Sequence, residues 1–302
     1  MSATQDVGEG AGRAAAVRRR VGPYALITAL DDPRTKVPVP ERRYVARSAD
    51  GSHTVLLSLP HPGGDARRFL AEAEGSRYLL GPCAAPATAF AAPGEAPWYA
   101  RPYLPALPLP TALAVHGGPL PERTVRALGV ALAETLAVVH GQGLAFAGVS
   151  PAAVLLAADG PRLTCFGAVR AAAPDGTPRS GLPGLEAGSR LPPEQASGGR
   201  PRPLGDVYAL GATLAYAATG YTSPERGELP AALRAVVGRC LARDPGARPR
   251  PAELVHALAG DPAADSTTLL TPGWLPGRVI AALAHQSATL LTAEAAPAPP
   301  PD

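Results

Sequence analysis

Two short stretches have the spacing of a reactive site. "FAGVSPAAVLL" runs from Phe146 to Leu156, and "CFG" follows at Cys165 to Gly167. The first has the outline of a loop that hands over to a strand, the second that of a metal-binding turn, yet neither contains a carboxylate, an amide or an amine. What chemistry they keep is one hydroxyl, Ser150, and one thiol, Cys165. A lone cysteine beside a phenylalanine reads as a small buried hydrophobe rather than a nucleophile or metal ligand. His140 has no acid or nucleophile at a suggestive spacing and reads as a satisfied core histidine. Thr177, Ser180 and Ser189, in the loop beyond "CFG", are candidate phosphate acceptors.

The elements that must position these groups are legible from periodicity. From Tyr24 to Tyr103 the chain reads as short β segments, "YALITAL", "RRYVARS", "HTVLLSL" and "WYARPYL". One helix interrupts them, "DARRFLAEAEGSRYLLG", with Phe69, Ala73, Tyr78 and Leu79 as a partial apolar face. After a Pro-rich connection, "PERTVRALGVALAETLAVVHGQG" places Val125, Leu128, Leu132, Leu136 and Val139 at helical spacing. "DVYALGATLAYAATG" is apolar nearly all round and predicts a buried central helix. "LPAALRAVVGRCLARDP" and "RPAELVHALAG" add two more helices. In "GWLPGRVIAALAHQSATLL", Leu275, Val279, Leu283 and Leu290 predict an amphipathic C-terminal helix, expected to dock on the large lobe of its own chain, with a partner-binding or membrane-surface role as the alternative.

Composition bounds the rest. Of 302 residues, 46% are hydrophobic and 18% charged, as in a folded chain with ample core. A net charge of +3 with dispersed arginines gives no nucleic-acid footprint. Cys83, Cys165 and Cys240 are widely spaced and odd in number, which supports neither a disulfide framework nor a zinc site and points to a reducing, cytoplasmic compartment. No apolar run reaches the roughly 20 residues of a membrane span, and no N-terminal apolar signal follows "MSATQDVGEGAGR".

The order of these parts, with "LPPEQASGG", "GDVYALGATLAYAATG" and "CLARDPGARPRPAEL" in sequence, resembles a bacterial serine/threonine protein kinase domain of actinobacterial type over about residues 22 to 260. The resemblance implies an α+β, two-lobed protein kinase-like fold, with a small β-rich lobe carrying one helix and a larger, mainly helical lobe. The expected organisation is a disordered N-terminus over 1–20, the small lobe over 21–103, the large lobe over 104–260, the C-terminal helix over 272–292 and a disordered tail over 293–302. It also implies structural roles: Glu194 and Arg248 as a buried ion pair, and Asp206 as an acceptor of backbone or arginine hydrogen bonds.

The positions matched to the family's catalytic groups carry something else. The segment that falls at the glycine-rich loop, "LDDPRTKVPVPERRYVARS", contains no glycine. Ser58 stands at the strand lysine, Phe146 at the loop histidine, Gly148 at the catalytic aspartate, Ser150 at the loop lysine, Ala153 at the metal-binding asparagine and Cys165 at the metal-binding aspartate. The chain has no asparagine, and its single lysine is Lys36. Glu72 matches the helix glutamate that pairs with that lysine and reads as an exposed helix residue unless an arginine such as Arg43 replaces it. Arg43, Leu56, Arg101 and Leu104 line the matched nucleotide cleft and are expected to occlude it. The resulting expectation is a pseudokinase, not an enzyme, with no cofactor, no metal and no productive binding of Mg²⁺–ATP. It would act as a regulatory or scaffolding module for a protein partner, such as an active kinase or signalling complex. The alternative is a divergent active kinase or another ATP-dependent phosphotransferase.

Overall fold

A computed structural model describes residues 19–32, 37, 39–172, 191–225, 227–261 and 263–295. The expected disordered ends, apart from these residues, and the candidate acceptors Thr177, Ser180 and Ser189 lie outside the described residues.

The small lobe is a six-stranded antiparallel sheet built from β1 (Arg20–Val21), β2 (Tyr24–Ala29), β3 (Arg42–Ser48), β4 (Thr54–Leu59), β5 (Ala89–Phe90) and β6 (Tyr99–Pro102), in the order β1-β2-β3-β4-β6-β5. Its register places the cleft residues in rows. Arg43 pairs with Ser58 and Val45 with Leu56 across β3 and β4, while Leu56 pairs with Arg101 and Ser58 with Tyr99 across β4 and β6. Helix α1 (Ala66–Gly75) crosses the lobe, its first turn capped by the Asp65 carboxylate, which accepts from the Arg68 N–H at 3.0 Å. Phe69, Ala73 and Leu79 are buried, but Tyr78 is 73% exposed. The chain tightens into a 3₁₀ turn at Ser76–Tyr78, which rotates Tyr78 off the helical face that the spacing predicted.

The large lobe follows β7 (Ala106–Pro108) and packs α2 (Leu109–His116) and α3 (Glu122–Gly141) beside the hairpin of β8 (Val154–Ala157) and β9 (Gly160–Leu163). After α4 (Ala168–Ala172) and α5 (Pro193–Ala196) comes the central helix α6 (Pro203–Thr219), then α7 (Ala231–Cys240) and α8 (Pro251–Ala259). Helix α3 is long and apolar enough to cross a membrane by length and composition, yet 67% of that stretch is buried within the fold. Val125, Leu128, Leu132, Leu136 and Val139 are wholly buried and join Val207, Leu210 and Leu214 of α6 in one core. This is the α+β, two-lobed architecture that the resemblance implied.

The short α9 (Ser266–Leu269) leads to α10 (Gly277–Ala295), which starts and ends later than the 272–292 expected from the sequence. Residues 273–276 instead make the approach, where Trp274 and Leu275 are already buried in the large-lobe core with Val279 and Leu283. Two hydrogen bonds fix that approach: Thr124 Oγ1 donates to the Trp274 carbonyl at 2.7 Å, and Trp274 Nε1 donates to the Ala158 carbonyl at 3.0 Å. Farther along α10, Leu290 joins a separate cluster with Leu30, Val45 and Leu56 of the small lobe and Ala106, Leu155 and Ala157 of the β7–β8 sheet. The helix is therefore a strap from the large lobe to the mouth of the interlobe cleft.

Candidate active site

The loop at 146–148 is held from beneath by α6. Asp206, 3% exposed, accepts from the N–H groups of Phe146 at 2.7 Å and Ala147 at 2.8 Å, and lies 3.0 Å from His140 Nε2. Arginine takes no part in this set. Phe146 is wholly buried and meets the Phe166 ring edge-to-face, with centroids 5.5 Å apart. Phe146 and Ala147 in turn offer their carbonyls to the N–H groups of Gly167 and Val169, both at 2.9 Å, so the loop and the turn after β9 form one unit.

The backbone of that unit is strained at two points. Ala147 (φ 52°) and Cys165 (φ 65°) are the non-glycine residues with left-handed backbone among the described residues. Such strain persists only where the surroundings enforce it, and it gathers at functional sites. Gly148 has no room for a side chain, since a Cβ there would lie 1.8 Å from the Cys165 carbonyl oxygen. Gly167 (φ 70°) is confined in the same way by the Glu72 carboxylate, 2.2 Å from where its Cβ would be. Ser150 caps the following turn, its hydroxyl accepting from the Ala153 N–H at 3.2 Å.

Above this unit the lobes meet in a buried polar cluster. Arg43 donates from Nε to Asp31 at 2.9 Å and from Nη2 to the other carboxylate oxygen, while its Nη1 donates to Thr164 Oγ1 at 3.2 Å. Burial works against the guanidinium charge, but the Asp31 hydrogen bonds and charge outweigh it, and the pKa of Arg43 is raised. Ser58 Oγ donates to Glu41 Oε1 at 2.9 Å, Tyr99 donates its hydroxyl proton to Glu41 Oε2, and Arg101 Nη2 donates to Tyr99 Oη at 2.9 Å. Burial, then the neighbouring Glu41 charge, raises the Tyr99 hydroxyl well above its ordinary pKa. Cys165, wholly buried, is pushed up to about 12 mainly by desolvation and so remains a thiol.

Glu72 is not an exposed helix residue, nor does it meet Arg43. Its carboxylate takes a two-pronged pair from Arg170, with Nε and Nη2 each at 2.9 Å, and Arg170 also donates to the Ala145 carbonyl at 3.2 Å. The guanidinium lies over the Phe166 ring, 5.0 Å from its centroid. Sequence reasoning missed Arg170, because nothing in the spacing after "CFG" marks it. It also missed Asp31, Glu41 and Thr164. Tyr99 alone had a signal, alternating with Trp98 in the β6 segment.

The cleft between the lobes is narrow. A cavity of about 170 Å³ remains, lined in part by Leu56, Arg101, Leu104, Leu155 and Thr164. Arg43 stays out of it because Asp31 and Thr164 draw its side chain aside, and Leu104 is 48% exposed at its edge rather than covering it. Remote from the cleft, Arg248 donates to Glu194 through Nη1 at 2.7 Å and Nη2 at 2.8 Å, and to the carbonyls of Ala242 and Leu204, both at 2.9 Å. The Arg248 side chain is fully buried and that of Glu194 is 27% exposed. Burial opposes the Glu194 charge, but the Arg248 hydrogen bonds prevail and hold its pKa below the usual value.

A divalent cation does not fit the matched positions. Ala153 has no donor, Cys165 is a protonated thiol, and no three His, Cys, Asp or Glu side chains gather in metal-binding range among the described residues.

No protein-family model matches the chain. It is similar to the probable serine/threonine-protein kinase PkwA of Thermomonospora curvata, 32% identical over 82% of this chain and 35% of that protein. It is also similar to the serine/threonine-protein kinase AfsK of Streptomyces coelicolor, 30% identical over 87% of this chain and 35% of AfsK. Among solved structures, the kinase domain of Mycobacterium tuberculosis PknI matches with a TM-score of 0.60 at 23% identity, covering 82% of this chain and 100% of that one. The chain is homologous to bacterial serine/threonine protein kinases over most of its own length and has the fold of their kinase domain. It spans about a third, 35%, of the length of PkwA and AfsK.

This kinship corrects the expectation of a protein that is not an enzyme. Relatives at 30–35% identity are named serine/threonine protein kinases, and nothing in the comparisons indicates inactivity. The correction comes from kinship, since Ser58, Gly148, Ala153 and Cys165 still occupy the positions matched to the family's catalytic groups.

Proposed function

We propose that the chain is a divergent serine/threonine protein kinase domain, an ATP-dependent phosphotransferase whose interlobe cleft no longer uses the family's usual lysine and metal-ligand side chains. The observation that carries this reading is the kinship to named kinases across more than four fifths of the chain. The retained frame supports it: α6 still holds the strained loop at Phe146–Gly148 through Asp206, and a cavity remains between the lobes. Phosphoryl transfer relies on positioning and on neutralising developing charge. Among the described residues, the cationic side chains at the cleft include Arg43, Arg101, Arg162 and Arg170, and the carboxylates include Asp31, Glu41 and Glu72. A protein partner and a cytoplasmic location belong to the same proposal.

The test is a radiolabelled phosphotransfer assay with γ-labelled ATP and a serine-rich acceptor protein, run beside the isolated kinase domain of a named relative. Label above the no-protein blank is expected, and Asp206→Asn, which loosens the 146–148 loop, is expected to remove it while a folded melting curve persists. No incorporation over an extended time course, at protein concentrations where the relative labels fully, would overturn the reading.

A further inference from the structure

Helix α10 is anchored firmly at one end and lightly at the other. Its approach and first turns are set in the large-lobe core by Trp274, Leu275, Val279 and Leu283, with the two hydrogen bonds of Trp274. Among the described residues beyond Leu283, Leu290 is the buried one, 6% exposed, while its neighbour Leu291 is 64% exposed. Between Leu283 and Leu290 the side-chain carbonyl oxygen of Gln286 is buried without a hydrogen-bond partner. Docking leaves that acceptor unmet, and release to water would restore its bond, so this stretch is the natural place for the helix to lift.

The seat of Leu290 gives the tip a role. Its apolar cluster joins Leu30, Val45 and Leu56 of the small lobe to Ala106, Leu155 and Ala157 of the β7–β8 sheet. Three of these, Leu56, Ala106 and Leu155, also line the interlobe cavity of about 170 Å³. One side chain therefore ties the lobes together on the cavity's own wall. Because a single leucine carries the contact, the docked state outweighs the lifted one by about tenfold or somewhat more, the scale of one buried aliphatic side chain. A ligand that enters only in the lifted state has its affinity reduced by the fraction of molecules in that state.

We propose that the last turns of α10 are an autoinhibitory latch, with Leu290 as its tip, that closes the interlobe cavity and pins the lobes until it lifts near Gln286. That the ligand held back is a nucleotide rests on the phosphotransfer reading above; the closure itself does not.

The latch is tested in the full chain by the reactivity of a thiol placed in the cavity wall, Ala106→Cys, toward an aromatic disulfide reagent. Ala106 is 2% exposed, and Cys83, Cys165 and Cys240, all buried, report global unfolding in the same reaction. Adding Leu290→Asp puts a charge among apolar side chains. It is expected to speed labelling of the placed thiol about tenfold or more, as the lifted population rises, while the native thiols stay slow. Leu291→Asp, one residue along on the exposed side, is expected to leave the rate unchanged. Where Leu290→Asp does not fold, Leu290→Ala takes its place, with a smaller acceleration expected. No acceleration in the Leu290 variant that folds, or equal acceleration by Leu291→Asp, would overturn the latch. Calorimetric titration with ATP then measures what it holds back. Binding about tenfold tighter in the Leu290 variant than in the parent is expected, and equal, measurable affinities would overturn the inhibitory role. ATP binding in neither chain, with labelling still accelerated, would overturn the phosphotransfer reading and leave the closure standing, so the two fall separately.

Discussion

The base of the large lobe and the cleft between the lobes treat charge differently. At the base, Glu194, Asp206 and Arg248 keep charged side chains whose partners are parts of the fold: backbone N–H groups for Asp206, and carbonyls as well as each other for the Glu194–Arg248 pair. In the cleft, the positions matched to the family's lysine, aspartates and asparagine hold Ser58, Gly148, Cys165 and Ala153, and the polar side chains that remain mostly satisfy one another. A charged group whose partner belongs to the protein is secured by the cost of leaving the other half unpaired. One whose partner is a ligand has no such guarantee during folding, and the charged pairs described in the cleft are internal to the chain.

The largest expected effect tests whether the strap belongs to the fold or only lies on it. Removing the chain after Asp261 deletes the buried side chains of Trp274, Leu275, Val279, Leu283 and Leu290. At about 1.5 kcal/mol each, an upper estimate of the area term, the loss is comparable to the whole stability of an ordinary domain, about 5–15 kcal/mol. The shortened chain is therefore expected to lose its cooperative thermal transition by circular dichroism. An unchanged melting curve would free the helix for a different role and leave the cleft open to solvent.

Next is the base itself. Arg248→Ala leaves the Glu194 carboxylate and the Leu204 and Ala242 carbonyls without their donor. Breaking a buried pair typically costs about 3–5 kcal/mol, and the partial exposure of Glu194 places the expectation at the lower end. Urea unfolding checks it, and a loss under about 1 kcal/mol, the range of exposed pairs, would erase the contrast drawn with the cleft.

In the cleft the informative change is a restoration. Gly148→Asp puts back the residue type that the family carries at the matched position, but its Cβ would meet the Cys165 carbonyl oxygen at 1.8 Å. Forcing atoms into a packed site costs about 1–3 kcal/mol, so the variant is expected to be less stable than the parent in the same urea experiment. Equal stability would show that the backbone of Cys165 yields readily and that the cleft has diverged less than its geometry suggests.

The sequence showed the fold well because its evidence was periodic. The spacing of Val125, Leu128, Leu132 and Leu136, and of Leu275, Val279 and Leu283, can serve only one face of a helix, and burial of that face follows. The cleft was half legible. Ser58, Gly148 and Cys165 could be matched one by one, but the pairs found in the cleft, Arg43 with Asp31, Glu41 with Tyr99, and Glu72 with Arg170, join residues 12, 58 and 98 positions apart, with no shared spacing to announce them. The direction of Arg43 was hidden for the same reason: only its partners, Asp31 and Thr164, reveal that its side chain turns aside.

The smallest expected effect compares the two regions by pH. Buried thiols occur in both, Cys165 in the cleft and Cys83 and Cys240 in the large-lobe core, and burial raises all three, to about 12 for Cys165 and Cys240 and about 11 for Cys83. In the unfolded chain they titrate near 9.0. Between those values the folded state holds protons that the unfolded state has released, so stability is fully present below pH 9 and falls as pH rises toward 11 to 12. Each thiol should contribute a loss of about 1.4 kcal/mol by pH 10, one pH unit above its unfolded value. Cys165→Ala is expected to flatten the decline in urea stability between pH 8 and 10 by that amount, and Cys240→Ala to do the same. If the Cys165 variant followed the parental slope while the Cys240 variant flattened it, the thiol of the cleft would be reached by water that the core excludes, and the two regions would differ in solvation as well as in charge.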